Sequence, residues 1–447
     1  MSTSGVTPSA PAASRYRWVI CGLLFWVTTA NYIDRSVFAN LAPDLQTTIG
    51  WTQDQYWYMQ VVFQAAYAVS ILFAGRLMDV VGLRWGFTLA CAFWGLAAMS
   101  HSLVSTVGGF FLVRILLGLG EGGNFPAANK AIAEWFPKQE RALAVSLFNT
   151  GSNVGGILVP TGLSLLMPLM AKITIAGHIL GWRGAFIVTG IFDLGWIIAW
   201  LAFYRKPHEH PKVSAEELAL INSEPPEPAV KIPWLALLPH RQMWAFAAVK
   251  LMDCFWWFYL TGAPQFFSDR FHMSLQSRGA PVAFIYVMAS IGGISGGWIS
   301  GHFMKQGWSL NKARKVTLLI CASAITSVIF AAFTDSPWVA VGLIAVACAA
   351  HQAWSCNVMS LASDMFPRRV VGSVTGLAGF AGSVAGILLF TWIGLMRKAA
   401  VARGEPGNYV PIFIAAGSSY LIALLAMHLV APKTEPAAID AQTSTSK

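Results

Sequence analysis

Residues 131–158, AIAEWFPKQERALAVSLFNTGSNVGGIL, and residues 361–388, LASDMFPRRVVGSVTGLAGFAGSVAGIL, read as one pattern used twice. Trp135-Phe-Pro-Lys138 answers Met365-Phe-Pro-Arg368 at an offset of 230, and Gly156-Ile-Leu158 answers Gly386-Ile-Leu388 in the apolar run that follows. A second echo pairs Gly75-Arg-Leu-Met-Asp79 with Gly297-Trp-Ile-Ser-Gly301 at an offset of 222. Both offsets join like connections to like. That implies two parallel repeats about an axis along a membrane normal, with a ligand held near the midplane between them.

The composition around these echoes requires a membrane. The chain has 447 residues, 56% hydrophobic and 11% charged, against roughly 25% charged residues in soluble domains. Each spanning helix needs about 20 mostly apolar residues. Twelve such segments follow one another at 16–37, 54–78, 84–104, 107–130, 141–168, 182–204, 242–266, 280–303, 314–334, 337–362, 370–396 and 410–431. The net charge of +10 does not mark a nucleic-acid surface, because its basic residues are sorted by side. Of 30 Lys and Arg, 20 fall in the termini and the even-numbered connections, seven on the other side, and three (Arg35, Arg114, Lys250) within spans. Basic residues favour the cytoplasmic side, which puts both termini inside.

The expected division is a disordered terminus at 1–14, a six-helix bundle at 15–204, a central cytoplasmic loop at 205–240, a second bundle at 241–432 and a tail at 433–447. Ser214-Ala-Glu-Glu217 is a capping-box pattern for a short helix through Ile221, which Glu224-Pro-Pro-Glu-Pro228 then stops. The six cysteines lie in spans without metal-ligand spacing and read as small buried hydrophobes. Glycines recur every fourth residue at Gly118 and Gly122, Gly151 and Gly155, and Gly293, Gly297 and Gly301, a spacing that lets helix backbones approach closely.

Seven motifs carry a family resemblance. Gly75-x3-Asp79-x2-Gly82-x-Arg84 resembles the signature loop of the major facilitator superfamily. Arg114-x3-Gly118-x2-Glu121-Gly-Gly-Asn-Phe-Pro126 resembles the fourth-helix motif of its anion:cation symporters. Asn31-Tyr-Ile-Asp-Arg35 and Trp135-Phe-Pro-x2-Glu140-Arg141 point the same way. In the second half, Asp253-x2-Trp256-Trp-Phe-Tyr-Leu260, His351-Gln-Ala-Trp-Ser355 and Ser363-Asp-Met-Phe-Pro367 resemble the hexuronate transporter branch. The resemblance covers nearly the whole chain after residue 14. It implies an all-α membrane protein with the major facilitator fold in a cell inner (plasma) membrane, acting as a monomer without a cofactor. The second repeat lacks the signature Asp and has Gly301-His302 instead, so the two inner gates need not match.

Charges inside spans point to the chemistry. Each costs about 2.5–3.5 kcal/mol at a helix centre on insertion scales, while a Leu or Val returns about 0.3–0.6. Asp34 and Arg35 are expected to face a wet cavity and each other. Arg114 and Glu121, seven residues apart, share a helix face about 10 Å apart and need partners elsewhere, with Asp34 and Arg35 the natural candidates. Carboxyls in a low-dielectric site suit proton carriage, which assigns Asp34 and Glu121 to coupling. Arginine stays charged and offers a planar fork to a carboxylate. The resemblance assigns Arg35 to substrate and Arg114 to coupling, and points Tyr32 and Tyr67 into the same cavity.

Asn153, Lys250, Asp253, Trp256, His351, Gln352, Trp354, Ser355 and Asn357 complete the substrate-facing set, with Trp257 a further flat face for a sugar ring. Lys250 and Asp253 equally read as a self-neutralising pair, and His351 as a satisfied structural group. Asp193 has no assigned role. Asp79, Arg84, Glu140 and Arg141, with Glu134, read as an inner gate, and Asp364 with Arg368 as its counterpart.

These readings imply a symporter of protons with a sugar-acid anion, a hexuronate such as galacturonate or glucuronate. The alternatives are a hexonate or aldarate on the same fold, a drug antiporter, or a membrane-embedded enzyme. No Ser/His/Asp constellation, metal-spaced cluster or phosphate loop supports an enzyme, and two intramembrane arginines suit an anion better than a lipophilic cation.

Overall fold

The structure, a computed structural model, describes residues 15–175, 178–223, 237–366, 368–405, 408–435 and 437. Its α-helices are α1 (Tyr16–Ile49), α2 (Gln53–Val81), α3 (Leu83–Ser100), α4 (Val107–Glu121), α5 (Asn124–Trp135), α6 (Lys138–Met170), α7 (Gly181–Phe203) and the short α8 (Ala215–Ile221). The second half has α9 (Arg241–Lys250), α10 (Asp253–Phe271), α11 (Leu275–Lys305), α12 (Leu310–Thr326), α13 (Pro337–Met365), α14 (Arg368–Ala402) and α15 (Val410–Val430). A two-residue antiparallel ladder pairs Thr174 with Ile179.

The ends of these helices follow from local chemistry. Gly50 closes α1 in the left-handed region at φ 82, donating its N–H to the Gln46 carbonyl, a conformation that costs other residues a Cβ clash. Thr52 and Gln55 form a reciprocal capping box that starts α2. Phe136 and Phe366, each preceding a proline, are extended (ψ 135 and 144), because a following proline disfavours the helical region. Both therefore end a helix at the same point of the repeat.

The fourth and seventh expected segments are each interrupted. α4 and α5 are separated by Gly122 and Gly123, and α9 and α10 by Leu251 and Met252. All four residues keep right-handed helical angles, so each pair continues as one rod.

Among the described residues, eight helices are long and apolar enough to cross a membrane. The rods that fall short are α3, which carries Arg84, α1, and the two interrupted ones. α1 and the interrupted rods carry Asp34, Arg35, Arg114, Glu121, Lys250 and Asp253. Large apolar side chains ring the outside, among them Ile294 (79% exposed), Leu429 (70%) and Leu165 (68%). A surface of that kind belongs against lipid.

Close helix contact is made by glycine, but on α11 not by the glycines expected. A Cβ at Gly118 would stand 2.4 Å from the Phe63 carbonyl on α2, and one at Gly151 2.6 Å from the Phe25 carbonyl on α1. On α11, Gly297 and Gly301 face open space and Gly293 touches only Gln352. Gly292 and Gly296 make the contact instead, with Cβ positions 2.0 Å from the Ala349 carbonyl oxygen and 2.4 Å from the Ala353 Cα. The run Gly292-Gly-Ile-Ser-Gly-Gly297 holds two four-residue registers, and spacing alone does not say which faces α13.

The two halves, α1–α7 and α9–α15, meet along α2 with α14, α6 with α11 and α1 with α10. Among the described residues, the hydrogen bonds and ion pairs joining them cluster at the end where α1 finishes and α2 begins. Arg278 reaches the Asn40 carbonyl at 2.7 Å and pairs with Asp44. Gln53 and Gln265 bond to Asp269, and the Tyr56 hydroxyl bonds to the Thr261 carbonyl at 2.7 Å. The contact nearest the opposite end is the Gln352 amide donating to Asn153 at 3.3 Å.

Candidate substrate and proton site

The polar residues of α1 do not face each other. Consecutive helical residues project about a hundred degrees apart and cannot pair, so Asp34 and Arg35 diverge. Arg35 turns to α4, where its Nε donates to Glu121, and Asp34 turns to Asp193 on α7. The expectation that the two would face each other is thus corrected. Both are buried, 2% exposed, and Glu121 is fully buried.

Arg35 sits in an aromatic box drawn from both halves. Its guanidinium carbon lies 4.6 Å from the ring centres of Tyr67 and Trp257, 5.2 Å from Phe63 and 5.3 Å from Tyr32. Tyr32 and Trp257 stack across the halves at 6.2 Å. Gly118 lets the backbone around Phe63 and Tyr67 close onto α4, and Gly155, whose Cβ would meet Tyr32 at 2.9 Å, brings α6 onto α1. Glu121 takes only Nε. Among the described residues Arg35 Nη1 and Nη2 have no partner, nor has Glu121 Oε1. A buried fork of unspent charged donors is costly to leave empty and fits a planar carboxylate.

Arg114 finds its partner on α2. Nη2 donates to Gln60 Oε1 at 2.8 Å, and the guanidinium packs 4.1 Å from the Phe63 ring and 4.7 Å from that of Phe38. Phe63 therefore touches both arginines. Gln60 went unread in the sequence because a single amide in a span carries little signal. Phe63 went unread because a phenylalanine among apolar neighbours carries none.

In the second half, Lys250 and Asp253 form an ion pair across the α9–α10 interruption. The cation is the last residue of α9 and the anion the first of α10. Both keep partial exposure, and Lys250 also touches Met359 Sδ at 3.6 Å.

The polar run of α13 is placed differently from Arg35. His351 bonds to the Tyr420 hydroxyl at 2.6 Å and stacks on Trp256 at 5.6 Å. Trp354 donates to the Val249 carbonyl at 3.2 Å. Asn357 donates to the carbonyls of Gly296 and Ala353 and accepts from Arg314. Their polar atoms are thus engaged within the second half's own packing. Gln352 and Asn153 remain half-buried at the interface, bonded to each other, and Ser355 is half-buried.

The charged residues at the opposite end pair within each half. Arg17 bridges Glu140 (2.7 Å) and the buried Glu217 of α8 (3.0 Å), and Ser214 caps α8 as its motif predicts. Arg84 donates to the Leu201 carbonyl, Arg141 to those of Phe136 and Ala133, and Glu134 accepts from Tyr204. Asp364 pairs with Arg314 at 2.9 Å. The side chains of Asp79 and Arg368 lie outside the described residues, as do 1–14 and the proline-rich stop at 224–228. No group of three or more His, Cys, Asp and Glu among the described residues is placed to hold a metal ion.

The family model described as Major Facilitator Superfamily matches residues 24–390. The chain is 29% identical over 387 residues to the hexuronate transporter of Escherichia coli (strain K12), covering 85% of this chain and 87% of that one. It is 30% identical over 338 residues to the galacturonate transporter of Dickeya chrysanthemi, covering 74% and 95%. Among solved structures, a D-xylose-proton symporter superposes with a TM-score of 0.71 at 17% identity, covering 94% of this chain and 99% of that one. An inward-facing, unoccupied bacterial homologue of the human lysosomal transporter Spinster gives 0.72 at 18% identity, covering 94% and 96%. These last two likenesses concern the fold.

Proposed function

The chain belongs to the major facilitator superfamily, and from that premise we propose that it imports a sugar-acid anion together with protons, a hexuronate such as galacturonate or glucuronate before any other. The observation that carries the reading is Arg35, held by Glu121 through Nε with its Nη fork unpartnered in a box of aromatic rings. The fork takes the substrate carboxylate, and Tyr32, Tyr67 and Trp257 offer flat faces and hydroxyls to the ring. When the carboxylate takes over neutralising Arg35, Glu121 no longer needs to be ionised and accepts a proton. Substrate and proton thereby load together. Lys250, Asp253, Asn153 and Gln352 line the rest of the site from both halves, and Arg114 organises the first half around it.

The reading includes a topology. All twelve rods cross an inner (plasma) membrane with both termini in the cytoplasm, and one chain suffices for transport. The joined end, where α1 meets α2, is then the outer one, and the structure is closed outside. At the inner end Arg17, Glu140 and Glu217 tie α1, α6 and α8 to one another and not to the second half, which leaves that end free to open. A galactonate-type or aldarate cargo is the second reading, favoured by a relative named as a D-galactonate transporter of Escherichia coli O6:H1, 25% identical over 404 residues.

Proteoliposome uptake with competition by uronates, aldonates and aldarates tests the cargo, and imposed gradients test the coupling. With two protons per monoanion, an inside-negative potential of about 100 mV assists entry by roughly 2.3 kcal/mol per net charge. Uptake indifferent to both pH gradient and voltage would sink proton symport. Stronger competition by an aldonate than by any uronate would replace the cargo.

A further inference from the structure

Asp193 is the intramembrane acid that the reading above leaves unused, and it faces Asp34. Both are buried, 1% and 2% exposed, on α7 and α1. All four of their carboxyl oxygens lack a protein partner among the described residues. The two carboxyls lie within hydrogen-bonding reach of each other. An acceptor set against an acceptor in a dry niche is repulsive when both are ionised, and no cation stands between them.

The surrounding groups do not supply one. Glu121 on α4 adds negative charge, and Cys91 on α3 faces both acids as a thiol. Arg35, on the neighbouring face of α1, is taken by Glu121. Thr189, whose hydroxyl also donates to the Phe186 carbonyl at 3.1 Å, stands beside Asp34 and the Trp94 indole N–H beside Asp193, so each acid has at most one neutral donor near it. The niche is also kept open. Gly95 of α3 faces it, and a Cβ there would stand 3.0 Å from Asp193 Oδ2. One turn before Asp34, Asn31 is buried with both amide atoms unpartnered.

We propose that Asp34 and Asp193 form a carboxyl pair that holds one shared proton, a proton-binding site separate from Glu121. Loading moves one proton from water onto the pair, converting two facing carboxylates into an O–H···O⁻ bond, and release returns it. The charge in the niche changes from two negatives to one. Asp193 holds Asp34 in its proton-carrying state and does not touch substrate. This inference rests on the proton-coupled reading for its role in transport but not for its existence.

The experiment is an infrared pH titration of the purified protein in detergent, without substrate or gradient, following the protonated carboxyl band. In Asp193→Asn the amide donates to Asp34 and relieves the repulsion, so the band is lost at a pH lower by about one unit or more, as coupled acids require. Asp34→Asn must shift the same band from the other helix, and Asp193→Glu must retain it, which guards against a variant that merely misfolds. An unshifted midpoint in well-folded Asp193→Asn overturns the proposal. So does a band removed by sodium at constant pH, since the pair would then bind a metal cation. A coupled band in a protein whose uptake ignores pH would defeat proton symport alone, and proton-driven uptake without the band would defeat the pair alone.

Discussion

At the scale of single residues, Arg35 gives one donor to Glu121 and leaves its Nη pair for the proposed substrate carboxylate. Nε serves Glu121 and the Nη fork is open, so a lysine cannot replace it even though charge is kept. Arg35→Lys should lose at least one charge-assisted bond, about 1.5–3 kcal/mol, or roughly ten- to a hundred-fold in affinity. Calorimetry on purified protein measures this, and near-normal affinity would move the carboxylate to Lys250. Glu121→Gln should abolish proton-driven accumulation while sparing counterflow exchange, because a permanently neutral amide mimics the protonated acid beside Arg35. Equal loss of both in well-folded protein would make Glu121 structural. Arg35 and Glu121 were legible because charges in apolar spans stand out. Of the box around them, the resemblance pointed Tyr32 and Tyr67 inward and Trp257 stood out as a flat face, whereas Phe63 looks in sequence like any other apolar residue.

At the scale of helices, glycine register on α11 is the informative feature. Gly292 and Gly296 press on α13, while Gly297 and Gly301 face open space. Gly296→Val should therefore force α11 and α13 apart at about 1–3 kcal/mol or more, the range of overpacking. The same change at Gly301 should leave stability unaltered within about 0.5 kcal/mol. Thermal unfolding of the purified variants followed by fluorescence decides between them, and equal losses would mean the helices meet in the other register. At 251–252, Lys250 and Asp253 stand one turn apart on one rod and neutralise each other.

At the scale of the whole molecule, closure of one end depends on a few bonds between the halves. Arg278, 1% exposed at its side chain, holds the Asn40 carbonyl and Asp44, whose own side chain is 48% exposed. Removing the pair should cost more than the roughly 0–1 kcal/mol of an exposed bridge and less than the 3–5 of a fully buried one. Asp44→Ala should thus shift the halves toward opening at that end by about ten-fold in population. Spin-label distances across the α1–α2 end would report the shift, and an unchanged distance distribution would show that Asp269 and its glutamine partners suffice to keep it shut.

The sequence by itself determined the class of fold and the course of the chain. The expected segments begin within about five residues of the helices, and the Phe-Pro boundaries repeat at 230 residues, but α1 runs to Ile49 where the expected segment stops at 37. These features are local: apolar length, proline, glycine and caps act on their own neighbours in the chain. Only the tertiary structure decided which charges meet. Arg35 went to Glu121, Arg114 to Gln60, Asp364 to Arg314, and Asp34 to an acid 159 residues away, Asp193. A helix fixes the angle at which each side chain leaves it, but the partner found at that angle depends on how the rods pack. Packing is set by small differences in shape, such as one glycine register against another, that a linear pattern does not encode.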